Sequence, residues 1–308
     1  ESVRTKKSMI KTKERELKQI YAMVVIVFLV FLLIPIVLLL GKSFEGGGNV
    51  SLEHYADVAG GKGFAAAFGR SIFVSCVSAV LTTALAFVLA YTIHYTNVPG
   101  GLKKFIRLAA VVPMLLPTIT YGFAIIYSFG RQGFITGMIG YQMFEIYGFC
   151  GLLLGYVIYT LPISFMLILN TMSFIDKKFM IVSRIMGDSP LKTFLGTVIR
   201  PLLGTLAASF VQCFFLCFTD FGIPASVGGQ YDVVATVLYN EMLGSVPDFN
   251  RGAVVAMFML VPSVVSISLL QFLERFNIRY SKVSGIELRK GRIRDICCGA
   301  ASVLILAS

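Results

Sequence analysis

The sequence is poor in charge, lacks tryptophan and contains only two histidines. Charged residues make up 14% of its 308 positions and hydrophobic residues 56%, whereas a soluble domain carries about 25% charged residues. This composition excludes an ordinary soluble domain and is typical of a protein that crosses a membrane several times. The six cysteines lie in or beside apolar runs without paired C-x-x-C spacing. We interpret them as small packing residues and expect neither disulfides nor a metal site.

Motifs for nucleotide binding and catalysis are also missing. The G-x-x-x-x-G-K-[ST] loop that cradles phosphates does not occur, and neither H-E-x-x-H nor a Ser/His/Asp set stands out. We therefore expect no enzymatic activity, no catalytic residues and no cofactor. Few carboxylates lie within the apolar runs. This disfavours a carrier driven by protons or sodium, because such carriers usually need acidic groups inside the membrane.

Six apolar runs predict an all-α membrane bundle of six transmembrane helices, since about 20 apolar residues span the hydrocarbon core. The runs cover residues 20–40, 65–93, 105–129, 147–172, 202–219 and 252–272. The third run contains Pro113 and Pro117 and predicts a kinked helix. The predicted organisation is a basic tail (1–19), a six-helix domain (20–273), a basic linker (274–295) and a final segment (296–308).

The distribution of positive charge predicts how the bundle is oriented. Of the 27 lysines and arginines, 22 fall in the tail, the linker and the loops on one side of a six-helix topology. Because loops rich in Lys and Arg usually face the cytoplasm, we predict that both ends of the six-helix unit are cytoplasmic. The net charge of +11 then reflects membrane orientation, and we expect no nucleic-acid partner.

A polar interruption at residues 173–201 separates the fourth and fifth apolar runs. Gly187 can close a helix in the left-handed conformation. Ser189 is a good N-cap, and Pro190 then falls at the first position of the next helix, where its missing N–H costs nothing. The pattern predicts a helix, a tight turn and a second helix that leads back into the membrane. Taken alone, it is compatible with an ordinary helix-turn-helix between two spans.

Residues 181–191, with the sequence IVSRIMGDSPL, resemble the cytoplasmic EAA loop of binding-protein-dependent ABC importer permeases with the type I, MetI-like fold. Ile181 stands where that family has Glu, and Pro201 closes the motif one residue late. In the family, this loop docks in a cleft of the ATP-hydrolysing subunit. The resemblance therefore implies an ATPase-coupling role for Arg184, Gly187, Asp188, Ser189, Pro190, Leu191 and Phe194.

A second resemblance covers about 20 residues, T-D-F-G-x-P at 219–224 and G-G-x-Y-x-V-x-A-T at 228–236. It is similar to permeases of the ferric-iron and 2-aminoethylphosphonate branch, which implies one of these solutes; polyamine, thiamine and sulfate stay open. Candidate residues of the translocation path are Thr118, Tyr121, Tyr159, Gln212 and Asp220. For Gln212 the alternative is hydrogen bonding between helices, and for Asp220 it is capping a helix or pinning a loop.

The resemblance also implies partners: ABC ATPase subunits, an extracytoplasmic solute-binding protein and a second permease half, all at a bacterial cytoplasmic membrane. ATP-driven closure would move the loop, and rigid helices would carry this motion to the third, fourth and fifth spans. The 11 apolar residues 296–306 are too few to span a bilayer. We expect them to begin a seventh helix that leads into a fused second half. An ion-driven secondary transporter is the alternative function, and a membrane-embedded enzyme or assembly factor is the third.

Overall fold

The structure, a computed structural model, describes residues 16–46, 49–274 and 291–307. Most of the predicted basic tail and most of the predicted basic linker lie outside the described residues. The elements, in chain order, are α1 (Glu16–Ser43), β1 (Glu45–Gly46), β2 (Asn49–Val50), α2 (Glu53–Gly60), α3 (Lys62–Tyr95), α4 (Gly100–Val111), α5 (Thr118–Phe129), α6 (Phe134–Ile139), α7 (Phe149–Ser173), α8 (Lys178–Ile185), α9 (Pro190–Thr219), α10 (Gly222–Val227), α11 (Val234–Leu243), α12 (Phe249–Glu274) and α13 (Arg292–Ala307).

The all-α prediction is confirmed. The sheet found in the described residues is one antiparallel hairpin, β1–β2, whose strands have two residues each. Five helices there are long and apolar enough to cross a membrane: α1, α3, α7, α9 and α12. They correspond to the first, second, fourth, fifth and sixth predicted spans. The fifth is longer than predicted, because the helix that starts at Pro190 continues without a break to Thr219.

The third predicted span is not one kinked helix. Helix α4 is followed by a 3₁₀ turn, Val112–Leu115, and α5 starts at Thr118 in a direction that differs by 111°. Pro117 disfavours helical conformation in the residue before it, and Leu116 is accordingly extended, with φ −102° and ψ 144°. The two segments count as a sixth span only if this bent pair crosses the membrane as one unit.

Helices α3, α7 and α9 pack together as the centre of the bundle. Lipid tails are as apolar as leucine, so close van der Waals packing and hydrogen bonds replace the hydrophobic effect between such helices. Small residues on α3, namely Ala79, Ala86 and Ala90, have no exposed surface. Hydroxyl groups link the same three helices: Thr82 Oγ1 lies 3.0 Å from Thr160 Oγ1, and Thr83 Oγ1 lies 3.4 Å from Ser209 Oγ.

Two further helices join this centre from opposite ends of the sequence. The second part of α1 packs on α12, while α13 packs on α3 and α4. On α13, Ser302 donates to Thr92 Oγ1 of α3 at 2.8 Å, and Thr92 donates to the Cys298 carbonyl at 3.2 Å. We call the end of the bundle that carries residues 96–99 and 174–189 the loop end. Helix α13 starts at this end and runs antiparallel to α3.

Candidate functional site

The turn between α8 and α9 has the backbone that the sequence predicts. Gly187 has φ +83°. The N–H of Asp188 donates to the Ser183 carbonyl and the N–H of Gly187 to the Arg184 carbonyl, both at 3.1 Å. This pair of bonds is the Schellman closure of a helix. Ser189 Oγ then accepts the N–H of Lys192 at 3.3 Å, and Pro190 occupies the first turn of α9. One helix therefore ends and the next begins within four residues.

A network of side chains pins α8 to α9 across this turn. The Ser183 hydroxyl donates to Asp188 Oδ2 at 2.7 Å and lies 3.0 Å from Thr193 Oγ1. Lys192 Nζ lies 2.6 Å from Asp188 Oδ1. Donation from Lys192 and from Ser183 lowers the pKa of the Asp188 carboxyl, so the carboxylate stays charged at neutral pH. The two helices are thereby held in one relative orientation.

Helix α8 presents apolar side chains to solvent. Phe179, Val182, Ile185 and Met186 are exposed, with Ile185 at 80% and Met186 at 77%. Their spacing places them along one side of the helix. A cleft of about 410 Å³ runs between this side and the start of α9; its lining includes Phe179, Val182 and Met186. An exposed apolar patch with polar neighbours is typical of a surface that binds another protein.

The remaining predicted coupling residues divide into two groups. Arg184 and Leu191 are exposed like the apolar side of α8, as are Ser189 and Pro190. Phe194 instead points into the bundle, where its ring makes edge-to-face contacts with Phe87 and Tyr91 of α3. The loop thus combines an exposed surface on α8 with an aromatic anchor at the start of α9.

Two candidate path residues, Thr118 and Asp220, meet at the other end of α9. Asp220 Oδ2 accepts the N–H of Ile223 at 2.9 Å and so caps the first turn of α10. The neighbouring Gly222 lies against Thr118 and Ile119 in the first turn of α5. This geometry favours the capping alternative stated for Asp220 over a role in contacting solute.

The other candidate path residues are partly or fully buried. The Tyr121 hydroxyl donates to the Pro113 and Leu116 carbonyls at the break before α5. The Tyr159 ring lies 6.1 Å from the Tyr121 ring, and Gln212 is half-buried on α9. The structure brings Thr118 and Asp220 together, and Tyr121 with Tyr159. A role of these five residues in translocation stays a prediction.

Several known proteins are similar to this chain in sequence, although no protein-family model matches it. It is 26% identical over 288 residues to the ferric transport system permease protein FbpB of Actinobacillus pleuropneumoniae, covering 92% of this chain and 41% of that protein. It is 28% identical over 211 residues to the thiamine transport system permease protein ThiP of Salmonella typhimurium, covering 67% and 39%. A probable sulfate transport system permease protein, cysT of Helicosporidium, is 24% identical over 237 residues, or 76% of this chain and 85% of that protein.

Solved structures match the fold over most of the chain. A chain in the crystal structure of a bacterial alginate ABC transporter, in complex with its alginate-bound periplasmic protein, superposes with a TM-score of 0.68 at 15% identity. That match covers 89% of this chain and 97% of the other. A chain of the inward-facing MetNI methionine ABC transporter gives a TM-score of 0.51 at 13% identity, covering 71% of this chain and all of that one. The chain therefore shares its fold with chains of two ABC transporters.

The chain spans less than half the length of two relatives named for ferric transport: 41% of FbpB from A. pleuropneumoniae and 38% of a putative FbpB from Haemophilus influenzae. The sulfate relative, in contrast, is matched over 85% of its length.

Sequence reasoning missed three features of the loop between α7 and α9. Ser183 and Thr193, which connect the two helices, have no distinctive motif, because a pair of hydroxyl groups ten residues apart becomes a contact only when the chain folds back. The exposed apolar side of α8 was also missed. Its signal was present as apolar residues at 179, 182, 185 and 186 inside a polar loop, a spacing that fits one side of a helix.

Proposed function

We propose that this chain is the transmembrane permease subunit of an ATP-driven importer, and that ATP is hydrolysed by a separate ABC ATPase subunit that docks on α8. The observation that carries the proposal is the exposed apolar side of α8, held by the Asp188 network on a hairpin outside the spanning helices. When a partner covers an exposed apolar side chain, the free energy falls by roughly 25 cal/mol per Å² of buried surface.

The remaining partners follow from the same assignment. The permease lies in a bacterial cytoplasmic membrane with its loop end and both ends of the six-helix unit in the cytoplasm, supported by the concentration of Lys and Arg on that side. An extracytoplasmic solute-binding protein delivers the solute at the opposite end. The alginate transporter structure, which includes a periplasmic protein, supports this kind of partner.

A second permease half completes the path, either fused to this one or as a separate subunit. Helix α13 supports fusion. It starts at the loop end beside Asn97 and Val98 and runs antiparallel to α3, and its other side leaves Ile296 and Leu304 exposed. A helix that is apolar on all sides is typical of a membrane span. In this proposal α13 is the first part of the second half.

The solute is ferric iron or a phosphonate. Ferric transport permeases match the largest share of this chain among the relatives described above, 92% for FbpB. Transport then proceeds by alternating access: the ATPase binds the inward-open and outward-open permease with different affinity, and ATP binding and hydrolysis shift the population between them. The chain's own role is to hold α8 rigidly, so that the movement of the ATPase reaches the bundle.

The proposal is tested by replacing Ile185, the most exposed apolar side chain of α8, with Asp. The full-length protein is purified from membranes after co-expression with the ABC ATPase and the solute-binding protein of its transport system. We expect Ile185→Asp to insert normally but to recover at least tenfold less ATPase. The matched control is Val246→Asp, since Val246 is 86% exposed at the opposite end of the bundle.

Unchanged recovery of the ATPase with Ile185→Asp, or equal loss with both variants, would contradict docking on α8. The alternative of an ion-driven carrier is distinguished in the same membranes. Uptake of Fe(III) that survives inactivation of the ATPase but stops with a protonophore would replace the proposed function with secondary transport.

A further inference from the structure

Phe194 is the aromatic residue through which the start of α9 meets α3. Its ring centroid lies 5.7 Å from that of Tyr91 at an interplanar angle of 81°, and 6.2 Å from that of Phe87 at 76°. Phe87 and Tyr91 stack on each other at 6.0 Å, and Tyr91 stacks on Tyr95 at 5.3 Å. These three residues, four positions apart, form an aromatic ladder along one side of α3, and the Phe194 edge contacts its first two rings.

The residue before Phe194 connects this contact to α8. Thr193, the residue before Phe194, is 2% exposed and lies 3.0 Å from Ser183 of α8 through its hydroxyl. Ser183 in turn donates to Asp188, which pairs with Lys192. Thr193, which lies within hydrogen-bonding distance of α8, and Phe194, whose ring contacts α3, are therefore adjacent in the chain.

Ile185, Met186 and Leu191 of the hairpin are exposed. Met180, in the first turn of α8, is buried in the same core as the α3 ladder, but a methionine is flexible and adapts to displacement of its neighbours. Ile175 and Val198 are also buried in this core, but Ile175 precedes α8 and Val198 follows Phe194 by about one helical turn, so neither adjoins the Thr193 contact. An aromatic ring held edge-to-face by two others has a defined position, so it transmits a displacement that a flexible side chain absorbs.

We propose that Phe194 is the positioning residue that carries displacement of α8 into α3, the second span. The inference rests on the proposed function, because it requires an ATPase bound to α8. Since α3 packs along both α7 and α9, movement of α3 reaches the centre of the bundle at once. This route adds the second span to the predicted ones, the third, fourth and fifth, because α9 is itself the fifth span.

The test compares Phe194→Ala with Phe194→Tyr and with Leu195→Ala, whose side chain is 48% exposed one position further on. The full-length protein is reconstituted in liposomes with its ATPase and solute-binding protein. Two quantities are measured per assembled complex: basal ATP hydrolysis, and its stimulation by the solute-binding protein. We expect Phe194→Ala to keep basal hydrolysis within about twofold and to lose at least tenfold of the stimulation, while Phe194→Tyr and Leu195→Ala stay close to wild type.

A double variant distinguishes transmission from simple loss of packing. If Phe194 acts through the ladder, adding Tyr91→Leu to Phe194→Ala causes no further loss of stimulation, because the two residues contact each other and their effects are not additive. Should Phe194→Ala fail to insert, Phe194→Leu keeps apolar volume without the ring and is expected to show the same loss.

Normal stimulation in complexes with Phe194→Ala, or in complexes with Phe194→Leu, would overturn the inference. So would independent, additive losses from the Phe194 and Tyr91 variants. A wild-type complex that recovers no ATPase gives a different result from either of these: it overturns the proposed function, and this inference with it.

Discussion

Two short helices flank the ends of α9, and they treat their apolar residues in opposite ways. Helix α8, before α9, leaves Ile185 and Met186 in solvent. Helix α10, after α9, buries Ile223 and Val227 completely in a core that includes residues of α5 and α7. Each is joined to α9 by a short connection that contains an aspartate with a glycine within two residues of it, Gly187 and Asp188 or Asp220 and Gly222, so the local chain chemistry is similar. The difference lies in what covers each helix.

The contrast shows that the two corners differ in their packing: the one between α9 and α10 is packed inside the bundle, and the one between α8 and α9 leaves an apolar surface exposed. At the α9–α10 corner, the Asp220 carboxylate and Gly222 fit against the first turn of α5. At the α8–α9 corner, Asp188 instead links the two helices of the hairpin to each other, and nothing within the described residues covers the apolar side of α8. The first corner stabilises the bundle, and the second makes a rigid projection from it.

The largest difference between the corners is expected from Gly222→Ala. A Cβ at this position would lie 2.2 Å from Thr118 Oγ1 and 2.7 Å from the Ile119 backbone nitrogen, so the backbone has to shift. Overpacking of this kind costs about 1–3 kcal/mol or more. We expect a clearly lower midpoint of thermal unfolding in detergent than for Gly196→Ala, where no atom lies within 4 Å of the added carbon. Equal midpoints would show that the α10 corner is not tightly packed.

Substitutions of Asp220 are expected to have the next largest effect on stability. They also distinguish a helix cap from a solute ligand. Loss of a helix cap costs about 1 kcal/mol, and asparagine caps as well as aspartate does. Asp220→Ala should therefore lower the unfolding midpoint, while Asp220→Asn should keep both the midpoint and Fe(III) uptake near wild type. A stable Asp220→Asn variant without uptake would instead place this carboxylate in the translocation path.

Gly187→Ala should weaken binding of the ATPase without destabilising the bundle. Space for the added carbon is open, but φ of +83° is unfavourable for alanine, at roughly 1–2 kcal/mol. A cost of this size corresponds to about a 5–30-fold change in an equilibrium. We expect ATPase recovery to fall several-fold with normal membrane insertion, and Gly187→Asn, which tolerates this conformation, to restore most of it. Loss of insertion would instead show that Gly187, like Gly222, is needed for the stability of the bundle.

The smallest effect is expected from Asp188→Asn, which weakens the pairing with the highly exposed Lys192 but leaves an acceptor for Ser183. The pKa of Asp188 is lowered from its ordinary value of 3.8. Its stabilising contribution is therefore complete above that value and is lost only as the pH falls through the lowered pKa. Between pH 6 and 8, the ratio of ATPase recovered by the variant and by wild type should stay constant. A ratio that changes in this range would require another titrating group at the contact.

Much of the fold and of the loop turn could be predicted from the sequence, because both depend on local chemistry. Apolar runs of sufficient length predict spans, and Gly187, Ser189 and Pro190 predict a helix end and a helix start. The 111° break before Thr118 was expected only as a kink, since sequence indicates that Pro117 interrupts a helix but not the direction in which the chain continues.

Tertiary contacts explain what the sequence could not predict. The cap at Asp220 is a local bond to Ile223, but the packing of Gly222 against Thr118 joins residues about 100 positions apart. Phe194 was grouped with the ATPase-coupling residues, yet its ring packs on α3. Nothing in the spacing of residues 184–194 distinguishes a side chain that faces a partner from one that faces Tyr91, because this depends on where α3 lies.

Photo-crosslinking decides whether α8 is the docking surface for an ATPase. A photoreactive amino acid is placed at position 186 on α8, and in a second protein at position 246 at the opposite end, in membranes that contain the ATPase and the solute-binding protein. Docking on α8 requires that position 186 crosslinks to the ATPase and that position 246 does not. Crosslinking of position 186 to lipid or to the solute-binding protein, with the ATPase attached at position 246, would contradict it.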